Sequence, residues 1–159
     1  MIDHERWMEF ALKEAEQAYK RKEVPIGAII IRENRIVGKG YNQTETLRDP
    51  TAHAEIIAIT AAASQLNNQR LENCTMYVTL EPCPMCAGAI VQARIPTLVY
   101  GAPDPKAGAC GTLYNIVQDE RLNHRVELVS GILESRCGGI LRDFFAKIRL
   151  NEIDKPRLN

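Results

Sequence analysis

The chain has 159 residues, of which 25% are charged and 45% hydrophobic, a composition that excludes the disordered, fibrous and collagen-like classes and predicts one domain over residues 1–159. Lys plus Arg number 20 and Asp plus Glu number 20, so no global field draws in nucleic acid or an anionic membrane, and any RNA contact has to be local. Asp3, His4, Glu5, Arg6 and Glu9 crowd the first ten residues, which is not the start of a secretory leader, and no apolar stretch nears the roughly 18 residues of a membrane span. Five cysteines, two of them three apart, suit a reducing compartment and a metal site better than a disulfide framework, so the expectation is a cytoplasmic protein with no membrane partner.

In chain order, Asp3 reads as a cap, and Trp7, Phe10, Ala11, Ala15 and Ala18 recur at helical spacing, which predicts a helix over 5–21 ended by Pro25. Residues 26–32 and 35–40 flank Glu33-Asn34, the spacing of a tight hairpin. A loop then runs to Pro50. Periodicity predicts a helix over 52–66, a buried strand over 76–80 and a short helix over 84–94 closed by Pro96. Strands at 97–100 and 126–129 and a last helix over 140–150, carrying Phe144 and Phe145, complete the order. No repeat or Gly/Ser-rich linker interrupts it. A hairpin followed by strands joined through helices predicts the α/β class, with a mixed sheet of about five strands and helices on both faces.

Two motifs open helices: His53-Ala54-Glu55 and Pro82-Cys83-Pro84-Met85-Cys86. Helix starts cluster beyond the carboxyl ends of parallel strands, so the two motifs can meet in space. On a first helical turn Cys83 and Cys86 aim both sulfurs at one point, where the helix N-terminus favours thiolates. His53 supplies a third ligand, and zinc with three protein ligands keeps one position for water. Taken singly, a C-x-x-C pair and a lone histidine each read as ordinary structural residues; their conjunction points to catalytic zinc. Cys74, Cys110 and Cys137 stand isolated, without the second paired motif of a closed structural site.

Glu55, two residues from His53, lies on the opposite face of a regular helix, so both point inward only at the cap. Zn²⁺ with two thiolates and a neutral imidazole sums to zero charge, and a water there loses its proton less readily than on an all-histidine site. A carboxylate base is then needed, and Glu55 is the candidate; the plainer reading makes it a favourable charge in a first helical turn.

Thr51-Ala52-His53-Ala54-Glu55 and Glu81-Pro82-Cys83-Pro84-Met85-Cys86-Ala87-Gly88-Ala89 resemble the cytidine and nucleobase deaminase superfamily. Three further stretches, Glu23 to Ala28, Gly101 to Gly108 and Leu141 to Phe145, resemble the bacterial-type tRNA-specific adenosine deaminases within it. The resemblance implies a three-layer α/β/α cytidine-deaminase-like fold, one Zn²⁺ per subunit, a homodimer, and conversion of adenosine to inosine at the wobble position of a tRNA anticodon stem-loop. It implies that Asn42 reads the base, that carbonyls near Ala54 and N–H groups near Cys83 face the reacting ring, and that the loop at Asp104 touches a flanking nucleotide. Phe144 and Phe145 become candidate stacking residues by the same match. From the residues alone, Tyr41-Asn42 and Asp104 equally read as turns, and the two phenylalanines as core.

Ala87, Ala89, Ile90 and Val91 leave the motif helix apolar on more than one side, which suits a partner subunit. Residues 121–159 carry eight Lys/Arg against five Asp/Glu, and Arg142, Lys147, Arg149, Lys155 and Arg157 are candidates for phosphate contact. Two rivals stay open: a deaminase of a free base or nucleotide built on the same His53, Glu55, Cys83 and Cys86, and a non-catalytic zinc module that binds RNA.

Overall fold

Glu33 and Asn34 both sit at positive φ, 51° and 58°, as required by the two-residue turn whose twist matches a hairpin. The turn joins β1 (Gly27–Arg32) antiparallel to β2 (Arg35–Tyr41) in the computed structural model, which describes residues 2–151 and 153. On its other side β1 pairs antiparallel with β3 (Thr75–Leu80), and β4 (Thr97–Ala102) and β5 (Glu127–Ser130) follow in parallel. The resulting order is β2-β1-β3-β4-β5, the mixed five-stranded sheet expected from the sequence.

Side-chain alternation divides the core in two. Ile29, Ile31, Tyr77 and Val99 face the layer of α1 (His4–Lys20) and α5 (Glu134–Arg149), packing with Trp7, Met8, Ala11, Leu12 and Cys137. Ala28, Ile30, Met76, Val78, Leu98 and Tyr100 turn to the other face, under α3 (Ala54–Leu66) and α4 (Pro84–Gln92). Each fully buried Ile, Val or Met contributes roughly 1.5–3 kcal/mol, and strands buried on both faces read as continuous apolar runs for that reason. The three layers are those of the expected α/β/α fold.

Helix α1 begins where the Asp3 side chain accepts from Arg6 N at 3.0 Å, a cap worth about 1 kcal/mol. Helix α3 lies close on the sheet: a Cβ added to Gly40 of β2 would stand 2.6 Å from the Ala54 carbonyl oxygen. Only glycine fits there, and it fixes the height of the first turn of α3 above the sheet.

The structure corrects three element assignments. Helix α5 starts at Glu134, six residues before the expected 140. Gly138 and Gly139 each lower helix propensity by about 1 kcal/mol, but burial overrides them: Cys137 is fully buried against β4, where a Cβ on Gly101 would meet its sulfur at 2.4 Å. The loop expected before Pro50 holds a single helical turn, α2 (Thr44–Leu47), and a 3-10 turn spans Ile116–Gln118; both are too short for periodicity to show.

Candidate metal centre and active site

Strands β2 and β3 are each antiparallel to β1, so they run the same way and both end at one side of the sheet, at Tyr41 and Leu80. From there the chain enters α3 and α4. His53 and Cys83 are the residues that precede these helices, extended at φ/ψ −75°/154° and −74°/173°, and neither side chain caps its own helix. Pro84 opens α4 at no loss of a helical hydrogen bond. The imidazole and thiol are thereby free to turn toward each other.

His53 Nδ1 stands 3.6 Å from Cys83 Sγ and 3.5 Å from Cys86 Sγ, and the three ligand atoms all lie within 4.8 Å of one another. A tetrahedral zinc with bonds of about 2.0 Å to nitrogen and 2.3 Å to sulfur has an N to S edge of about 3.5 Å. Donor kind and spacing both fit zinc. Among the described residues no other trio of His, Cys, Asp or Glu converges in this way, and Cys74, Cys110 and Cys137 are free, buried and outside it.

Hydrogen bonding from Cys86, then from His53, holds the Cys83 thiol down at about 4. Its partner Cys86 is pushed up by the same hydrogen bond, and His53 is raised through its hydrogen bond to Cys83. Glu55, in the first turn of α3, is only 4% exposed. Burial pushes its carboxyl up, and its side chain reaches Cys86. A buried carboxyl that readily holds a proton beside a three-donor cluster is a proton acceptor and donor in place.

Two buried glutamates, which the sequence reading quotes only inside motifs, hold the loops beside this cluster. Glu23, 0% exposed, accepts from Glu45 N at 3.0 Å and Thr46 N at 2.9 Å, fixing α2. Glu81, 2% exposed, accepts from Asp104 N, Cys110 N and Thr112 N at 3.1, 3.0 and 3.1 Å and from the Thr112 hydroxyl. Burial works to raise the Glu81 carboxyl, but these donors, led by the Thr112 hydroxyl, outweigh it and hold the group below the usual range. A sequence signal existed: each glutamate precedes a proline by one or two residues at a strand boundary.

The remaining candidates separate. Ala54 is buried in the first turn of α3 beside Glu55. Asn42 is buried at the end of β2, its amide donating to the Val24 carbonyl at 3.3 Å and its oxygen accepting from Thr44 N at 3.4 Å. Asp104 shapes its own turn, accepting from Lys106 N and Ala107 N. Phe144 is a correction: at 0% exposed its ring packs edge-on against Tyr19 and Phe145 and offers no face to a base. Phe145, 41% exposed, lines a groove of about 850 Å³ with Pro103, Pro105, Lys106, Arg142 and Arg149. Lys147 is engaged elsewhere, paired with Asp143 at 3.3 Å and set over the Tyr19 ring; Lys155 and Arg157 lie outside the described residues.

A mixed sheet that delivers a histidine, a cysteine pair and a buried glutamate to adjoining helix starts has the arrangement of the deaminase class. Residues 2–149 match the family model of the MafB19-like deaminases, and the chain belongs to this deaminase family. It is 49% identical over 149 residues to the tRNA-specific adenosine deaminase of Bacillus subtilis, covering 94% of this chain and 92% of that one. A solved structure from a study of A-to-I editing by tRNA:A34 deaminases at the wobble position of transfer RNA superposes with a TM-score of 0.82 at 45% identity, over 86% of this chain and 99% of that one. A guanine deaminase from Bacillus subtilis is similar over 70% of this chain and 71% of its own, at 36% identity and a TM-score of 0.63.

Proposed function

We propose that this protein hydrolyses the C6 amino group of adenosine at the wobble position of a tRNA anticodon, giving inosine and ammonia. The observation that carries the reading is the buried Glu55 beside the His53, Cys83 and Cys86 trio, in a chain nearly half identical, end to end, to a tRNA-specific adenosine deaminase. His53, Cys83 and Cys86 would hold one Zn²⁺ per subunit, which would supply Lewis acidity to activate a water for attack. Glu55 takes one proton from the attacking water and delivers it to N1, then takes the second water proton from the new C6 hydroxyl and gives it to the departing amine, which leaves as ammonia. Its burial keeps the transferred proton from bulk solvent. Asn42, buried just after β2, is the candidate for the purine edge, and a base in an anticodon loop is unstacked into the site at low cost.

The groove lined by Phe145, Lys106, Arg142 and Arg149 gives the RNA strand an aromatic face and three cations. Binding of an anticodon stem-loop is expected to weaken as salt rises, with a slope of about 0.7–0.9 per phosphate neutralised, and Arg149→Ala to lower that slope by one such increment. Ammonia release is expected from the stem-loop and from neither guanine, cytosine nor cytidine. Salt-independent binding, or efficient release of ammonia from guanine, would replace this reading with a free-base deaminase, the rival that similarity to the guanine deaminase favours.

The outward side of α4 supports a symmetric dimer in this reading: Met85 is exposed, and a Cβ on Gly88 would meet open space. Sedimentation equilibrium at micromolar concentration is expected to give twice the chain mass; a monomer there ends the dimer reading. Among the described residues no helix is long and apolar enough to cross a membrane, and a tRNA substrate supports the reading of a cytoplasmic enzyme.

A further inference from the structure

Glu81 is a buried carboxylate with no ion pair among the described residues: four neutral donors, three of them backbone N–H groups from residues 104–112, satisfy it. The loop is wrapped so tightly on this anion that a Cβ on Gly108 would stand 2.5 Å from both Glu81 Cδ and Oε2. Its strand-side end is also fixed, because Glu81 N donates to the Ala102 carbonyl at 2.9 Å. The loop has two working sides. On one, Ala109 N donates to the Pro82 carbonyl at 2.9 Å, one residue before the ligand Cys83. On the other, Pro103, Pro105 and Lys106 form one wall of the groove that Phe145, Arg142 and Arg149 complete. A single side chain therefore sets the spacing between the metal centre and the groove.

We propose that Glu81 is a positioning residue: its carboxylate fixes the 104–112 loop against the Cys83 turn, so that an RNA strand lying in the groove presents one nucleotide, and not its neighbour, to the metal centre. This rests on the proposed tRNA reading for its substrate and on the hydrogen bonds alone for its structural part. Nothing in the arrangement places Glu81 at the reacting atoms; it acts through the loop, on the pre-positioning of a bound strand.

Two variants test it from opposite sides. Glu81→Gln keeps the size of the side chain but turns one oxygen into a donor. Directed at Thr112, whose hydroxyl can rotate to accept, that NH₂ leaves only Asp104 N without a partner. Gly108→Ala keeps the carboxylate and pushes the loop away from it. Both holoenzymes are measured for zinc content, amide hydrogen exchange, and kcat and KM on an anticodon stem-loop. Zinc should stay at one per chain. Exchange should quicken at least about tenfold at Asp104 in Glu81→Gln, and at Asp104, Cys110 and Thr112 in Gly108→Ala, with α3 amides unchanged. KM should rise about tenfold or more while kcat changes less than about threefold, and on a stem-loop given adenosine at both the wobble position and its neighbour, inosine should appear at the neighbour as well. Loss of zinc, a fall in kcat at constant KM, or unchanged exchange at the three amides each overturns the proposal. Wild-type protein that makes no inosine refutes the tRNA reading instead, and the exchange and zinc results still decide whether Glu81 holds the loop.

Discussion

Glu55→Gln is expected to retain one zinc per chain and to lower turnover by about 10²- to 10⁴-fold, the range in which a positioned general acid–base group contributes. Glu55 is not among the three converging donors, so removing its charge leaves the metal ligands in place. What disappears is the only buried carboxyl in the first turn of α3, and with it the proposed path by which the two water protons pass in turn, one to the ring and one to the leaving amine. Glu55→Ala should behave alike in metal content, with a further loss of stability from the space left in the core. Elemental analysis beside a turnover assay separates the roles. Full activity in either variant, or zinc well below stoichiometric, would show that the carboxyl is not the shuttle.

Cys83→Ala is expected to lose the metal itself and all deamination. Altering a group that merely orients a metal ligand already lowers affinity by about 10- to 100-fold, and removing one of three ligands exceeds that. The fold should survive, since Cys83 is partly exposed and caps nothing in α4; the fall in Tm should match the stabilisation that zinc adds by binding the native state alone. Cys74→Ala is the contrast, a buried cysteine in the core under α3 and α4, expected to lose about 1–3 kcal/mol of stability with zinc unchanged. Stoichiometric zinc in Cys83→Ala would remove the cysteine from the ligand set.

Some of this protein is dictated by the chain on its own. Glu33-Asn34 between two apolar runs is a local turn instruction, and both residues take the positive φ it demands. The spacing in Cys83-Pro84-Met85-Cys86 is likewise local, because Pro84 starts a helix and one helical turn brings the two sulfurs together. Capping by Asp3 and the apolar stripe of α1 need no partner to be recognised. Such features depend on bonds and torsions within a few residues, so they are written in sequence order.

Other features depend on what lies across the sheet, and sequence order does not carry that. Phe144 and Phe145 are adjacent and chemically identical, yet the turn of α5 sends one into the core against Tyr19 and leaves the other on the groove. Helix α5 passes through Gly138-Gly139 against local propensity because Cys137 is buried on β4 beside Gly101. Glu23 and Glu81 have the composition of surface charges, and only tertiary folding supplies the backbone N–H groups that let a carboxylate stay buried. Lys147, one of a run of basic residues along the chain, is spent on Asp143 and Tyr19. The sequence alone thus determined the donor set of His53, Cys83 and Cys86 and the helix starts that carry it. The tertiary structure decided which side chains face the groove and what holds the loops around the centre, because burial and long-range hydrogen bonds exist only once distant segments have met.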